Sequence, residues 1–242
     1  MKPFGSFTKS VAYGATLMAL LSLCSVTQAA DGKATVSRVV GNAEYSEKPG
    51  SWQTLSSGKV LGSGASVRTA GKSQVDLFLG NNGTSVRLIE NTTLGLDKLS
   101  LSGSGVDVVV ETMLDLRTGT IRGSVQQLAA GSKYEVKTPR TVFAINAVKG
   151  PTEYQISADG THHVIEGSGV VAYNQQNRIT PFTVNQGQTF VPPVDPTGPT
   201  PPTIVPLQKG NIIERPVVVV TPPPVVAVPE PVQFVSPGSG SR

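Results

Sequence analysis

Two adjacent histidines, His162 and His163, are the only imidazoles in the 242-residue chain. On a strand, neighbouring side chains point to opposite faces, so this pair cannot converge on one metal ion. The spacing predicts one packed and one solvent-facing residue. No HExxH motif, cysteine pair or third histidine accompanies them. Acid/base chemistry would need facing carboxylates, and Glu44 with Glu47 or Asp107 with Glu111 are the pairs to weigh; dispersed acids on strand edges and loops are commonly solvated. A Ser-His-Asp arrangement would have to recruit one of the two histidines, and no GxSxG elbow is present. Three Gly-Ser-Gly tripeptides, Gly62–Gly64, Gly103–Gly105 and Gly167–Gly169, extend neither to GxGxxG nor to GxxxxGK, and read as turns. Sugar stacking would draw on Tyr45 and Trp52. A single Trp in a chain with 5% aromatic residues is expected in the core ahead of a sugar platform.

The elements that would hold these residues are strands. From residue 33 to 190 apolar residues recur at every second position, which puts alternate side chains on one sheet face. Val75, Leu77 and Leu79 lead into Gly80-Asn81-Asn82-Gly83, and Val86 and Leu88 lead out. Asn and Gly accept the positive φ of a tight hairpin, so a reversal is expected within Asn81–Gly83. Leu114 and Leu116, a turn near Thr118-Gly119, then Ile121 and Val125 predict a second hairpin. Further strands are expected at Val36–Val40, Val106–Val110, Tyr134–Lys137, Tyr154–Ser157, His163–Ile165 and Val170–Tyr173. Only Val142–Val148 has room for a helical turn, closed by Pro151. The class is all-β: a sandwich or an elongated stack of short antiparallel strands. No fixed-length repeat argues for identical rungs.

The two ends differ from this body. Residues 1–29 have the layout of a secretory signal peptide: Lys2 and Lys9, an apolar run from Val11 to Val26, and small residues at Thr27 and Ala29 before a cut ahead of Ala30. The run is shorter than the about 20 residues of a membrane span, which ranks an uncleaved anchor second. The only cysteine, Cys24, lies within it, so the mature chain would contain no disulfide or thiolate. Lipidation at Cys24 ranks low because bulky Leu23 precedes it. Residues 191–242 carry 14 of the 19 prolines and six charged residues, the composition of an extended, disordered tail reaching on the order of 160 Å when fully stretched. A net charge of +4 for the whole chain is too small and dispersed for a nucleic-acid surface.

Between these ends the order of segments is distinctive. Val39-Val40-Gly41 precedes Trp52-Gln53-Thr54-Leu55 and Gly58-Lys59-Val60-Leu61; Val67-Arg68-Thr69, Ser73-Gln74-Val75-Asp76-Leu77, Gly83–Leu88 and Asn91-Thr92-Thr93-Leu94 follow. Later come Leu116–Ile121, Val136-Lys137-Thr138-Pro139, Val148-Lys149-Gly150, Thr152–Ile156 and Glu166–Val170. This series resembles the FecR-type domain, with Pro151 as a departure between Gly150 and Thr152. The resemblance implies an all-β, extracytoplasmic, non-enzymatic domain without cofactor. In the regulators it belongs to periplasmic signalling joined to a cytoplasmic segment that controls a sigma factor. Only ten residues precede the apolar run here, so such signalling would pass through another protein.

The expected organisation is therefore a signal peptide over 1–29, a FecR-like β domain over 33–190 and a Pro-rich tail over 191–242. The expected role is that of an exported module, periplasmic or extracellular, which binds or scaffolds an envelope protein or wall polymer through exposed strand edges, with no catalytic, metal or cofactor residues. A polysaccharide-binding module is the alternative, and a glycoside hydrolase ranks behind both.

Overall fold

The computed structural model describes residues 30–80, 84–103, 108–145, 147–175, 178–195, 198, 200–208, 210 and 212–213. The expected signal peptide over 1–29, the reversal expected within Asn81–Gly83 and the part of the expected tail after Ile213 lie outside the described residues. Among those described, nineteen strands occur in chain order: β1 Ala30–Asp31, β2 Ala34–Val40, β3 Ala43–Ser46, β4 Gln53–Thr54, β5 Val60–Leu61, β6 Ser66–Thr69, β7 Gln74–Leu79, β8 Thr84–Leu88, β9 Thr93–Ser102 and β10 Val109–Thr118. They continue as β11 Thr120–Val125, β12 Lys133–Lys137, β13 Thr141–Ile145, β14 Thr152–Ser157, β15 His162–Glu166, β16 Ser168–Gln175, β17 Arg178–Asn185, β18 Gln188–Val191 and β19 Thr203–Pro206. A 3-10 turn, Ala147–Lys149, occupies the end of the segment where a helical turn was expected, and Val142–Ile145 of that segment lie in β13.

The strands form two sheets. Sheet I runs β17-β16-β13-β12-β10-β9-β6-β3-β4, with β1 added on β9; sheet II runs β19-β18-β15-β14-β11-β8-β7-β2-β5. In both sheets strand order nearly follows chain order, so the sandwich is built from one end to the other. The pairings are antiparallel except β10 with β12, which are parallel because β11 crosses to sheet II between them. The expected hairpin at Thr118-Gly119 is therefore a crossover. Gly119, at φ +80° and tight against Thr92, hands the chain from sheet I to sheet II, a bend that a Cβ would strain.

The core lies between the sheets, where the two-residue period predicts it. Val75, Leu77, Val86, Leu88 and Ile121 of sheet II and Val67, Leu94, Leu96, Leu114 and Leu116 of sheet I are all fully buried, each such side chain contributing about 1.5–3 kcal/mol. Toward the later strands the filling changes from aliphatic to aromatic. Tyr134, Tyr154, Phe143, His162, Phe190 and Tyr173 form a chain of ring contacts with centroids 5.2–6.1 Å apart. Space for them comes from missing side chains: Gly123, opposite Tyr154 in the ladder, leaves room for its ring, and Gly169 does the same for Phe143.

The folded body passes the boundary that proline content suggests. Strand β18 ends at Val191, and β19 adds Thr203–Pro206 beside it, giving sheet II its last strand. Prolines bracket β19 at Pro202 and Pro206, and Pro181 interrupts β17, the last strand of sheet I. On edge strands a proline removes a donor without breaking an interior ladder and also discourages a further strand. No helix among the described residues is long and apolar enough to cross a membrane.

Candidate functional site

The residues first weighed for chemistry are held apart. His162 and His163 point to opposite faces of β15, as their adjacency predicts. His162 is fully buried between Phe143 and Phe190, with Nε2 2.6 Å from Thr141 Oγ1; burial, with a smaller push from His163, drives its pKa down to about 3. His163 lies on the outer face of sheet II, half-buried, with Nδ1 2.8 Å from Thr189 Oγ1. Burial lowers its pKa and Asp159 partly opposes this.

The carboxylates are each set against a cation. Glu44 meets Arg68 at 2.6 Å, Glu47 meets Lys59 at 2.9 Å and Glu111 meets Lys98 at 2.6 Å. Asp107 lies outside the described residues. Trp52 is not in the core, contrary to expectation. It is half-buried on the outside of sheet I, where the Arg68 guanidinium stacks 4.2 Å from its ring centre. Tyr45 shares its ladder position with buried Val67 and packs against the core, whereas Glu44, paired with Arg68, faces outward. Tyr45 and Trp52 thus sit on opposite faces of one sheet and form no common platform. The physical reason is parity: the strand that directs Tyr45 inward directs the Glu44 and Arg68 neighbours of Trp52 outward. Gly64 and Gly167 occupy turns at positive φ, as the tripeptides containing them suggest; Ser104 and Gly105 of the remaining tripeptide are outside the described residues.

A different constellation emerges on the outer face of sheet II. The ladder places Arg38, Asp76, Arg87, Arg122, Gln155, His163 and Thr189 side by side, one from each successive strand. Arg87 grips Asp76 with two hydrogen bonds, Nε to Oδ1 at 2.7 Å and Nη2 to Oδ2 at 2.9 Å. Arg122 Nη2 donates to Glu153 Oε1 at 2.7 Å. The two guanidiniums are cross-strand neighbours, an arrangement that their carboxylates make tolerable by neutralising each charge. Arg87 and Asp76 are 2% exposed, Glu153 3% and Arg122 6%. No protein-family model matches the chain, and no curated protein matches it significantly.

Beyond Gln155 the row opens into a hollow of about 670 Å³. Gln155, Asp159, Thr161, His163 and Thr189 supply its polar wall, and Val205, Pro206 and Leu207, at the end of β19, its apolar rim. The imidazole, carboxylate, amide and hydroxyls there can donate and accept hydrogen bonds without a charge relay. Sequence reasoning missed this row because alternating polar residues on a strand read as a solvated face. One part was recoverable: Asp76 lies four residues before Gly80 and Arg87 four residues after Gly83, so a hairpin turning within Gly80-Asn81-Asn82-Gly83 must bring opposite charges together.

Proposed function

We propose that the chain is an exported, non-enzymatic binding or scaffold module of the cell envelope, of the FecR type that its sequence resembles. The observation that carries this reading is the hollow around His163, Asp159, Thr161 and Gln155 at the later end of sheet II. Its mixture of hydrogen-bonding groups beside an aliphatic rim suits an extended segment of an envelope protein or wall polymer. The prolines on β17 and β19 shift this reading from strand edges to a side-chain surface. A binding role is also favoured over acid/base catalysis by the cation set against each of Glu44, Glu47 and Glu111. The test is affinity capture from envelope extracts, comparing the native protein with an Asp159→Ala, His163→Ala variant. A specific partner retained by the first and lost by the second is expected; recovery of the same nonspecific material by both would overturn the reading.

The surface position of Trp52 favours a second reading, a polysaccharide-binding module acting through the outside of sheet I. Glycan-array binding that disappears in Trp52→Ala while the fold persists would establish it in place of the first.

A further inference from the structure

Two of the aliphatic side chains left exposed on the protein, Val191 at 38% and Val205 at 37%, line the same hollow beside His163. The register explains why. Gln155, His163, Thr189 and Val205 stand opposite one another across β14, β15, β18 and β19, so the row changes from polar to aliphatic as it nears the edge of the sheet. Val191 follows Thr189 by two residues and therefore lies on the same face. Aliphatic surface at the end of a hydrogen-bonding row matches a ligand group with an apolar body and a polar tip.

The polar end of the hollow has a sign. Asp159, in the turn between β14 and β15, is the one carboxylate among the described lining residues, and no ion pair among the described residues includes it. Its Oδ1 accepts from Thr161 N at 2.8 Å, which fixes the carboxylate in the wall. The Arg140 guanidinium reaches this turn but donates to main-chain carbonyls, from Nη1 to Asp159 O at 3.4 Å and from Nη2 to Pro193 O. His163 is the other titratable group of the wall; burial lowers its pKa, which leaves it neutral at pH 7, and its Nδ1 is engaged with Thr189 Oγ1. The hollow therefore offers one negative charge next to bare aliphatic surface. A guanidinium fork is built for two carboxylate oxygens at once, and Thr161 N already occupies Oδ1; a compact ammonium with rotatable donors suits the site better.

We propose that the hollow takes a lysine side chain from an extended polypeptide segment, its aliphatic stem lying on Val191 and Val205 and its ammonium group against the Asp159 carboxylate. The inference rests on the reading of this hollow as a partner site and names the chemistry that the partner must present.

The test uses the isotope-labelled full chain and a defined probe, acetyl-Ser-Val-Lys-Val-Ser-amide, with the amide resonances of Thr161, His163 and Thr189 reporting occupancy. Saturable shifts at these residues are expected. Replacing the lysine of the probe by norleucine or Nε-acetyl-lysine is expected to weaken binding about threefold, within the range of an exposed ion pair, whereas dimethyl-lysine, which keeps the charge, should bind like lysine. Asp159→Asn retains an oxygen that can accept from Thr161 N and hold the turn; it should reproduce the loss with the lysine peptide and leave the norleucine peptide unaffected. Val191→Ser should weaken both peptides. Equal binding of the lysine and norleucine peptides, or unchanged binding of the lysine peptide by Asp159→Asn, overturns the proposal. So does the same set of shifts produced by soluble wall fragments without dependence on Asp159, or by raising the concentration of the protein alone. If the lysine peptide fails to bind while the native protein still captures an envelope partner that the Asp159→Ala, His163→Ala variant loses, the lysine assignment falls and the partner reading stands; failure of both overturns both.

Discussion

Tyr134 and Tyr154 share a hydrogen bond between their phenol oxygens, 2.7 Å long, with both rings buried. The rings approach from opposite sheets, so this bond links β12 of sheet I to β14 of sheet II through the core. Burial raises both phenol pKa values and keeps the pair neutral. Tyr154→Phe is expected to strand the Tyr134 hydroxyl and cost about 1–3 kcal/mol, while the double change Tyr134→Phe, Tyr154→Phe recovers much of that loss. Urea denaturation of the four proteins in the cycle measures it; equal, additive losses would show that the bond is not formed.

Gly123 sits beneath the same tyrosine, and a methyl group there would overlap its ring. Gly123→Ala is expected to destabilise by about 1–3 kcal/mol, the range for overpacking. Combining it with Tyr154→Leu should cost less than the two changes added together. Additive losses in chemical denaturation would place the ring elsewhere.

The Asp76–Arg87 pair predicts an asymmetric mutational response. Asp76→Asn alone removes one charge of a buried pair and is expected to cost about 3–5 kcal/mol. Asp76→Leu together with Arg87→Met is expected to be much milder, because neither charge then remains. Midpoints of guanidinium unfolding distinguish these outcomes from the near-neutral response of an exposed pair.

Acid sensitivity follows from His162. The unfolded chain takes up a proton at this residue near pH 6.5, but the folded chain does so only near 3. Its contribution to stability is complete above pH 6.5 and is lost as pH falls through the window toward 3, at up to about 1.4 kcal/mol per pH unit. His163, also lowered, acts in the same direction. Unfolding free energies measured from pH 7 to 4 should show a shallower slope for His162→Gln than for the native protein; identical slopes would mean that the imidazole is not held neutral.

Trp52→Ala is expected to fold normally and to lose no more than about 1–2 kcal/mol, the scale of a cation–π contact and partial burial. Circular dichroism and thermal unfolding check this. Collapse of the fold would return Trp52 to a structural role that its half-buried position does not indicate.

Much of the architecture was legible in side-chain alternation. Val75-x-Leu77-x-Leu79 and Val86-x-Leu88 marked two strands and their shared inner face, whereas the pairing of Asp76 with Arg87 across the same two strands was missed. Sheet membership was not legible. Leu114, Leu116 and Ile121 have the alternation of a hairpin, yet Gly119 sends the later strand to the other layer, and local periodicity contains no information about which layer a strand joins. Trp52 was misplaced for a related reason: its size favours burial, but its outward direction is set by the pairing of its neighbours. The continuation of the sheet through Thr203–Pro206 was obscured by the surrounding prolines, which an edge strand tolerates and an interior strand would not.

The nearly sequential order of strands in both sheets has a kinetic meaning. Apart from β1, paired strands are separated by no more than about 45 residues, the span from Ala34 to Leu79, so closing each new contact requires only a modest loop. A chain delivered N-terminus first can complete β2 through β8 before the later strands emerge, each finished layer serving as the template for its successor. Nascent-chain assembly would then proceed like a zipper, without waiting for the far terminus.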